Sequence, residues 1–273
     1  MQHSSGYTVE SVLPDIFRLD GGAMFGAVPK ALWERRIPSD ERNRIQLACR
    51  ILHLTGYGKE ILIDLGCGTK WNDKDRDIFA VEPKTKPVHE LFPGTTDVIL
   101  THLHFDHAGG ISYNSPGLML SFPRAAHYLP KKNLEHARNP GPRERASYLR
   151  ENIEVLDHAK LNLTTNGSTI LPFITAFEVN GHTHGLQWLL IGQAPGAIAY
   201  PADLIPTAHH VSIPYVMGYD LCAETTMREK HAFLERAVQE NWIVVFEHDI
   251  DTPAATIRKD EKGQFTVDKV AQL

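Results

Sequence analysis

Residues 97–110 read DVILTHLHFDHAGG, an apolar run that ends in a cluster of histidines and one aspartate. The apolar run predicts a buried strand. Because a strand places alternate side chains on one face, His102 and His104 should point the same way, and a turn after them returns Asp106 and His107 to the same place. Imidazole and carboxylate groups are ligands of zinc, manganese and iron. The cluster therefore predicts a metal site at the end of this strand.

The metal interpretation depends on the clustering of these histidines and the aspartate. A single histidine at a strand end is usually a surface residue or a satisfied polar group. Gathering many polar groups in one place costs desolvation free energy unless something satisfies them. Three more polar clusters follow predicted strands, in GHTHG at residues 181–185, YPAD at 200–203 and FEHD at 246–249. Each is weak alone, because Asp203 could cap a helix or lie in a turn, and Asp249 is expected to orient or cap.

The composition is that of an ordinary globular protein, with 42% hydrophobic and 22% charged residues in a chain of 273. We expect residues 1–273 to form a single domain. The net charge of −5 offers no general attraction to nucleic acid or to an anionic lipid surface. The three cysteines are far apart and form no CxxC pair, which favours reduced thiols. With no secretion signal or membrane-length apolar run expected, we predict a cytoplasmic protein.

Alternating and apolar runs predict strands separated by helices, which favours a layered α/β sandwich. Besides the strand before His102, strands are predicted at residues 7–19, 43–54, 60–66, 169–181, 187–200 and 242–249, with edge strands around Gly263. Helices are predicted at 84–92, at 224–240 and in 131–158 with an interruption at Pro140, Gly141 and Pro142, whereas 20–42 is predicted to be a long loop. Each polar cluster thus follows a strand, where functional groups commonly project from loops.

In order and spacing, these motifs resemble the metallo-β-lactamase-fold hydrolase superfamily. The resemblance rests on THLHFDHAGG, GHTHG, the strand-end Asp203 and the strand-end His248, and it includes ILIDLG at residues 61–66 as an early strand that ends in aspartate and glycine. It covers about residues 60 to 250. The resemblance implies an α/β fold of the αββα type, in which two mixed β-sheets are flanked by helices and the site lies along one edge between them.

The resemblance also implies a ligand set for two divalent metal ions per chain, with zinc expected first and manganese, iron or cobalt as alternatives. Seven side chains would hold them: His102, His104 and His182 the first, Asp106, His107 and His248 the second, and Asp203 both. Asp64 would orient a ligand histidine. The implied nucleophile is a metal-bridging hydroxide, and Asp106, the expected catalytic residue, would pass a proton to the leaving group.

Details of the motifs narrow the branch of the superfamily. His104 stands where flavodiiron oxidoreductases are expected to have glutamate, which favours hydrolysis over redox chemistry. Most zinc β-lactamases lack a bridging carboxylate at the position of Asp203, which disfavours hydrolysis of antibiotics. The RNA- and DNA-processing branches carry a large extra domain for which this chain has no room. GGAMFGAVPKALW at residues 21–33 resembles the start of N-acyl homoserine lactonases and organophosphate hydrolases, as a pocket loop or as plain cover. Two departures are Ala202, where glycine is frequent, and His184, where proline is frequent and which could compete with His182.

These features predict hydrolysis of a small ester-like substrate, a lactone first. A phosphotriesterase and a glyoxalase-type thioester hydrolase would share the metal site, and a metal-binding sensor or relic without turnover is the non-enzyme alternative, although relics usually lose ligands. The expected partner is a small molecule, with neither nucleic acid nor membrane, and a homodimer stays open. Tyr200, Tyr215 and Tyr219 are candidates to assist the oxyanion, while the pair 209–210 of histidines is expected in a loop over the site or on the surface.

Overall fold

Two seven-stranded β-sheets form the centre of the protein in the computed structural model, which describes residues 2–273. The strands that precede residue 165 are β1 (Thr8–Asp20), β2 (Arg44–Gly56), β3 (Lys59–Ile63), β4 (Glu82–Pro83), β5 (Asp97–Ile99), β6 (Ser112–Asn114), β7 (Leu118–Leu120), β8 (Ala126–Pro130) and β9 (Lys160–Thr164). Those that follow are β10 (Thr169–Leu171), β11 (Ile174–Val179), β12 (Leu186–Ile191), β13 (Ile198–Tyr200), β14 (Ile243–Val245), β15 (Ala254–Lys259) and β16 (Phe265–Ala271).

The helices are short apart from the last. They are α1 (Gly21–Phe25), α2 (Lys30–Trp33), α3 (Asp73–Phe79), α4 (Val88–Leu91), α5 (Phe105–Ala108), α6 (Lys131–Arg138), α7 (Arg150–Glu154) and α8 (Ala223–Gln239). Among the described residues, no helix combines the length and the apolar character needed to cross a lipid bilayer.

Both sheets are mixed. The first has the order β4-β1-β2-β3-β5-β8-β9, in which β3, β5, β8 and β9 run parallel to one another and the other pairs are antiparallel. The second has the order β10-β11-β12-β13-β14-β15-β16, in which only the β13–β14 pair is parallel. A separate hairpin of β6 and β7 completes the strands that the structure describes.

The alternation of side chains along each strand builds four layers. In β3, Ile61 and Ile63 face the second sheet, where they pack in one core with Leu189 of β12. Leu62, between them, points to the opposite face and packs against Leu134 of α6. On the far side, α8 packs its apolar stripe on the outer face of the second sheet. Since each sheet has an apolar surface on both faces, the helices and the partner sheet must both cover it.

The αββα sandwich expected from the resemblance is therefore confirmed, and so are the strands predicted at 7–19, 43–54 and 60–66 and the helix at 224–240. Other boundaries were wrong. The expected loop at 20–42 contains α1 and α2, and the helix expected at 84–92 is confined to α4 after Pro87.

The helical region expected at 131–158 is interrupted as predicted and forms α6 and α7, because the prolines at 140 and 142 cannot continue a helix. Two predicted strands are divided. The strand expected at 187–200 forms β12 and β13, which are separated by residues 192–197. The strand expected at 169–181 breaks into β10 and β11 at a turn where Phe173 has a φ of 60°. Strands β8 and β9, the hairpin and α3 carried too weak a pattern to be predicted.

The topology brings several strand ends to one edge of the sandwich. Because β13 and β14 are parallel, the residues that follow them, Asp203 and His248, emerge together. Strand β11 is two antiparallel steps from β13 and runs the same way, so His182 emerges there too. Gln187 joins this edge to the first sheet, because its backbone N–H donates to Thr101 O at 3.0 Å and its amide donates to the carbonyl of residue 100 at 2.8 Å.

Replacing Leu189 by alanine should lower the free energy of unfolding by about 2–5 kcal/mol, because a fully buried side chain between the sheets would leave a cavity. Val270→Ala is the control, since Val270 is 57% exposed and its loss should change stability by less than about 0.5 kcal/mol. Chemical denaturation of both variants measures the difference. Equal stabilities would contradict the assignment of Leu189 to the inter-sheet core.

Candidate metal centre

Seven buried side chains converge where these strand ends meet. The loop after β5 supplies His102 and His104, α5 supplies Asp106 and His107, and single residues come from the ends of β11, β13 and β14, namely His182, Asp203 and His248. All seven are at most 6% exposed. The sequence-predicted metal residues are therefore all brought together in one place.

The first group consists of His102, His104, His182 and Asp203, whose candidate ligand atoms lie within 4.8 Å of one another. His104 Nδ1 is 3.0 Å from His102 Nε2 and 3.2 Å from His182 Nε2. His182 Nε2 is 3.0 Å from Asp203 Oδ2. Three imidazole nitrogens and one carboxylate oxygen thus point at a common volume.

The second group consists of Asp106, His107, His248 and again Asp203, also within 4.8 Å. The carboxylate of Asp106 lies between two imidazoles, with Oδ1 at 3.9 Å from His107 Nε2 and Oδ2 at 3.8 Å from His248 Nε2. His248 Nε2 is 3.0 Å from Asp203 Oδ1. Asp203 Oδ2 also lies 3.5 Å from His107 Nε2, so this carboxylate lies between the two groups and contacts members of both.

The donor set fits metal ions by its chemistry and by what it leaves unsatisfied. His107 Nε2, His248 Nε2 and Asp203 Oδ1 are buried and form no hydrogen bond within residues 2–273. Buried polar atoms without a partner are costly, so these atoms need something to bind. Imidazole nitrogen and carboxylate oxygen in groups of four are a ligand set for zinc and for other divalent transition metals.

Partners on the far side of the rings orient three of the histidines. His248 Nδ1 donates to Ala48 O at 2.6 Å, and His182 Nδ1 donates to Asp220 Oδ1 at 2.9 Å. These bonds place the N–H on Nδ1 and leave the Nε2 lone pair facing the site. For His102, Nδ1 lies 3.2 Å from the hydroxyl oxygen of the preceding threonine.

His107 has two carboxylates behind it. Its Nδ1 is 3.1 Å from Asp64 Oδ2 and 3.1 Å from Glu247 Oε1. Asp64 also accepts hydrogen bonds from Thr101, at 2.8 Å from the backbone N–H and 2.7 Å from the hydroxyl. Asp64 thus holds together the end of β3, the loop after β5 and the ring of His107, which is the place expected for it.

The charges of the protein groups act strongly on one another at this depth. Burial and the neighbouring imidazoles lower the pKa of His102 well below its ordinary value. Burial also lowers the pKa of His182 and His248, but the Asp203 carboxylate outweighs it and raises their pKa values to about 10 and about 9. Burial would raise the pKa of Asp203, yet the imidazoles hold it well below its usual range. A metal ion that binds must therefore displace protons.

Local backbone geometry explains why small residues flank the site. Ala202 has a φ of 48°, in the left-handed region that glycine occupies most easily, which accounts for the frequency of glycine expected at this position. A Cβ on Gly109 would lie 2.1 Å from Cys67 O, so only glycine permits this close approach behind the metal cluster. Asp64 also has a positive φ of 56°, a strained conformation of the kind found at functional sites.

Comparisons with known proteins agree with this architecture. A probable metal-dependent hydrolase from Staphylococcus aureus superposes with a TM-score of 0.85, at 24% identity over 97% of this chain and 98% of that one. The dizinc quorum-quenching lactonase AidC, in complex with a homoserine product, superposes with a TM-score of 0.77, at 17% identity over 98% of this chain and 95% of that one.

The chain has the metallo-β-lactamase fold.

In sequence, an N-acyl homoserine lactonase from Bacillus sp. is 27% identical over 157 residues. That match spans 56% of this chain and 56% of the relative's own length, little more than half of each. No protein-family model matches the sequence.

On this metallo-β-lactamase fold, five of the seven candidate metal ligands line a cavity of about 320 Å³, namely His104, Asp106, His182, Asp203 and His248. The apolar side chains of the lining, which we call the apolar wall, include Leu19, Met24, Phe79, Phe105 and Met217. The other polar side chains of the lining are Arg143, Glu144, Ser147 and Tyr219. Of the three candidate tyrosines, Tyr219 alone lines this cavity. Tyr200 is buried with its hydroxyl donating to Arg50 O, and Tyr215 packs on Phe25.

The segment at residues 21–33 has both of the roles weighed for it. Met24 lines the cavity, whereas Phe25 and Trp33 stack at 5.5 Å in the core beneath. His210 is buried against Phe25 and its Nε2 donates to Met24 O, away from the donors. The carboxylate of Asp249 accepts hydrogen bonds from the backbone N–H groups of residues 208, 251 and 252. Asp249 therefore caps the loop that follows β14, as expected.

Besides Asp64, which was predicted, three carboxylates lie behind candidate ligand histidines and were missed by sequence reasoning. Asp220, Glu247 and Glu144 each approach one of these rings, yet none belongs to a repeated or spaced pattern. Glu247 had one available signal, since it lies inside FEHD directly before a candidate ligand. Asp220 and Glu144 lie in loops, where nothing in the local sequence distinguishes them from exposed acids.

His182 and His184 offer a matched pair of substitutions. His182 lies in the first group, whereas His184 is exposed and packs near His136 with ring centroids 4.8 Å apart. His182→Ala should reduce bound metal by about one ion per chain, because it removes a nitrogen from the first group. His184→Ala should keep the wild-type content. Elemental analysis after dialysis gives the counts, and metal loss in the His184 variant alone would reverse the assignment.

Proposed function

We propose that this protein is a two-metal hydrolase that cleaves a small ester-like substrate, with a lactone as the first candidate. The observation that carries the proposal is the pair of buried donor groups that share Asp203 and open into a partly apolar cavity. The lactonase relative and the lactonase of the same fold support the choice of a lactone. Two divalent ions, zinc first, are the proposed cofactors.

In this proposal His102, His104 and His182 hold one ion, Asp106, His107 and His248 hold the other, and Asp203 holds both. When bound, the metal ions supply Lewis acidity, which makes water acidic enough to be a nucleophile near neutral pH and withdraws electrons from a carbonyl oxygen. The imidazole partners keep the rings from rotating, so the donors are ready before substrate arrives.

Asp106 is the proposed proton carrier. Its carboxylate faces the cavity and lies 3.8 Å from His248 Nε2 and 3.9 Å from His107 Nε2, so it can hold a proton taken from water and deliver it to the leaving oxygen. The apolar wall orients the substrate, because hydrocarbon of an acyl group packs there and excludes water from the reacting bond. We also propose that Tyr219, which lines the same cavity, contacts the substrate oxygen.

A phosphotriesterase or a glyoxalase-type thioester hydrolase is the alternative, since both would use the same donors. A sensor without turnover is disfavoured because all seven donors are present. We further propose that residues 1–273 act as one domain in the cytoplasm, where Cys49, Cys67 and Cys222 stay reduced. The proposed partner is a small molecule.

Asp203→Ala tests the mechanism, because it removes the carboxylate that both groups share. We expect about two metal ions per chain in the wild type, fewer in the variant, and loss of turnover on a panel of acyl homoserine lactone, aryl ester, aryl phosphotriester and glutathione thioester. Asp157→Ala is the control, since that exposed carboxylate pairs with Arg138 on the surface. The preferred panel member identifies the branch. The proposal would be contradicted if the wild type bound no metal or if Asp203→Ala kept full activity.

Met217→Ala tests the apolar wall. Removing this side chain should reduce kcat/KM for long-chain acyl substrates by about tenfold while changing short-chain substrates less, because hydrocarbon contacts are lost in proportion to chain length. Met119→Ala is the matched control, since Met119 is exposed on β7 outside the cavity. Steady-state kinetics on a series of increasing chain length gives the comparison, and parallel profiles for all three proteins would argue against an acyl-binding wall.

A further inference from the structure

The segment between α6 and α7, residues 139–149, reaches the candidate metal centre although its sequence carries no ligand motif. Its neighbours Arg143 and Arg145 are exposed, yet Glu144 is only 4% exposed. A buried carboxylate requires hydrogen-bonding or charged partners to offset its desolvation. The partners of the Glu144 carboxylate therefore indicate the role of this segment.

Glu144 contacts three side chains. Its Oε2 lies 3.5 Å from His104 Nε2 and accepts a hydrogen bond of 2.7 Å from the Thr183 hydroxyl. Its Oε1 contacts His136 Nε2. His104 Nε2 is buried and finds no hydrogen-bond partner of normal geometry within residues 2–273. Glu144 supplies the carboxylate that this nitrogen faces.

His104 differs from the other candidate ligands in the nitrogen that it directs at the site. It presents Nδ1, at 3.0 Å and 3.2 Å from the Nε2 atoms of His102 and His182. Nδ1 is the ring nitrogen nearer the backbone, so Nε2 of His104 projects outward, away from its own strand. A partner for that atom cannot come from the adjacent backbone and must be brought by another segment.

A hydrogen-bonded chain fixes the position of Glu144. Because the carboxylate can only accept, Thr183 donates to it and accepts in turn from the Tyr148 hydroxyl at 2.7 Å. Tyr148 also accepts from Asn133 Nδ2, while Asn133 Oδ1 accepts the backbone N–H of Leu103, next to His104. The Tyr148 ring packs edge-on against His104 with centroids 4.7 Å apart. The network thus surrounds the His104 ring and ends at the backbone of Leu103, in the loop that carries His104.

We propose that Glu144 is a positioning residue for the first metal group, which binds His104 Nε2–H and so holds Nδ1 toward His102 and His182. The inference rests on the proposed two-metal function. It adds the segment of residues 139–149 to the proposed metal centre, and it gives Glu144 a role beyond anchoring that loop.

Metal affinity of Glu144→Ala and Glu144→Gln gives the test. In the alanine variant one of the two ions should bind about 10–100-fold more weakly, as is typical when a carboxylate behind a ligand histidine is lost, while the other is unchanged. The glutamine variant should lose less, because its amide oxygen still accepts from Nε2–H. Chelator competition measures both affinities, and the absorption spectrum of cobalt-loaded protein reports the coordination of His104. Glu154→Gln, at an exposed glutamate of α7, is the matched control.

Three results would overturn the proposal. Wild-type affinities and cobalt spectrum in Glu144→Ala would leave Glu144 as a loop anchor. Equal weakening of both ions, together with a lowered Tm of chelator-treated protein, would mean a general structural defect. No metal on the wild type would remove this inference and the proposed function together. If Glu144→Ala fails to fold, Thr183→Val, which removes the hydroxyl that orients the carboxylate, should weaken the same single ion.

Discussion

The Asp203 carboxylate is the interaction around which this structure is arranged. It is almost fully buried and lies 3.0 Å from His182 Nε2 through one oxygen and 3.0 Å from His248 Nε2 through the other. A carboxylate at that depth is tolerated only with close cationic partners, and removing one partner would leave an uncompensated charge. The parallel pairing of β13 and β14 meets this requirement, because it delivers Asp203 and His248 to the same edge.

The groups behind the histidines make the site rigid and also strongly charged. Asp64, Glu247, Asp220 and Glu144 each approach an imidazole from the side away from the donors. With Asp106 and Asp203 they place six carboxyl groups around five imidazoles, a concentration of negative charge that suits divalent cations and is unfavourable without them. Both sheets and their loops contribute side chains to this cluster, so its charged groups are distributed over several elements of the sandwich.

Catalytic potential and substrate choice reside in different parts of the molecule. The donors sit at the ends of regular strands, where packing of the two sheets holds them. The cavity walls come from the short helices α1 and α3, through Met24 and Phe79, and from loops around Arg143 and Met217. Loops on a rigid scaffold change more readily than the scaffold itself. In the proposed hydrolase, the donors would therefore supply the chemistry, and the cavity walls would select among esters, thioesters and phosphotriesters.

The sequence by itself determined the donors that are close along the chain and the strands that carry them, because alternation in a strand and a tight turn are local geometry. His102, His104, Asp106 and His107 could be assigned to one place for that reason. Only the tertiary structure divided the strand expected at 187–200, placed His184 outside the donor groups, and brought the carboxylates of loops, Glu144 among them, to the rings they contact. Those contacts join residues tens of positions apart, and their formation depends on how the whole chain packs.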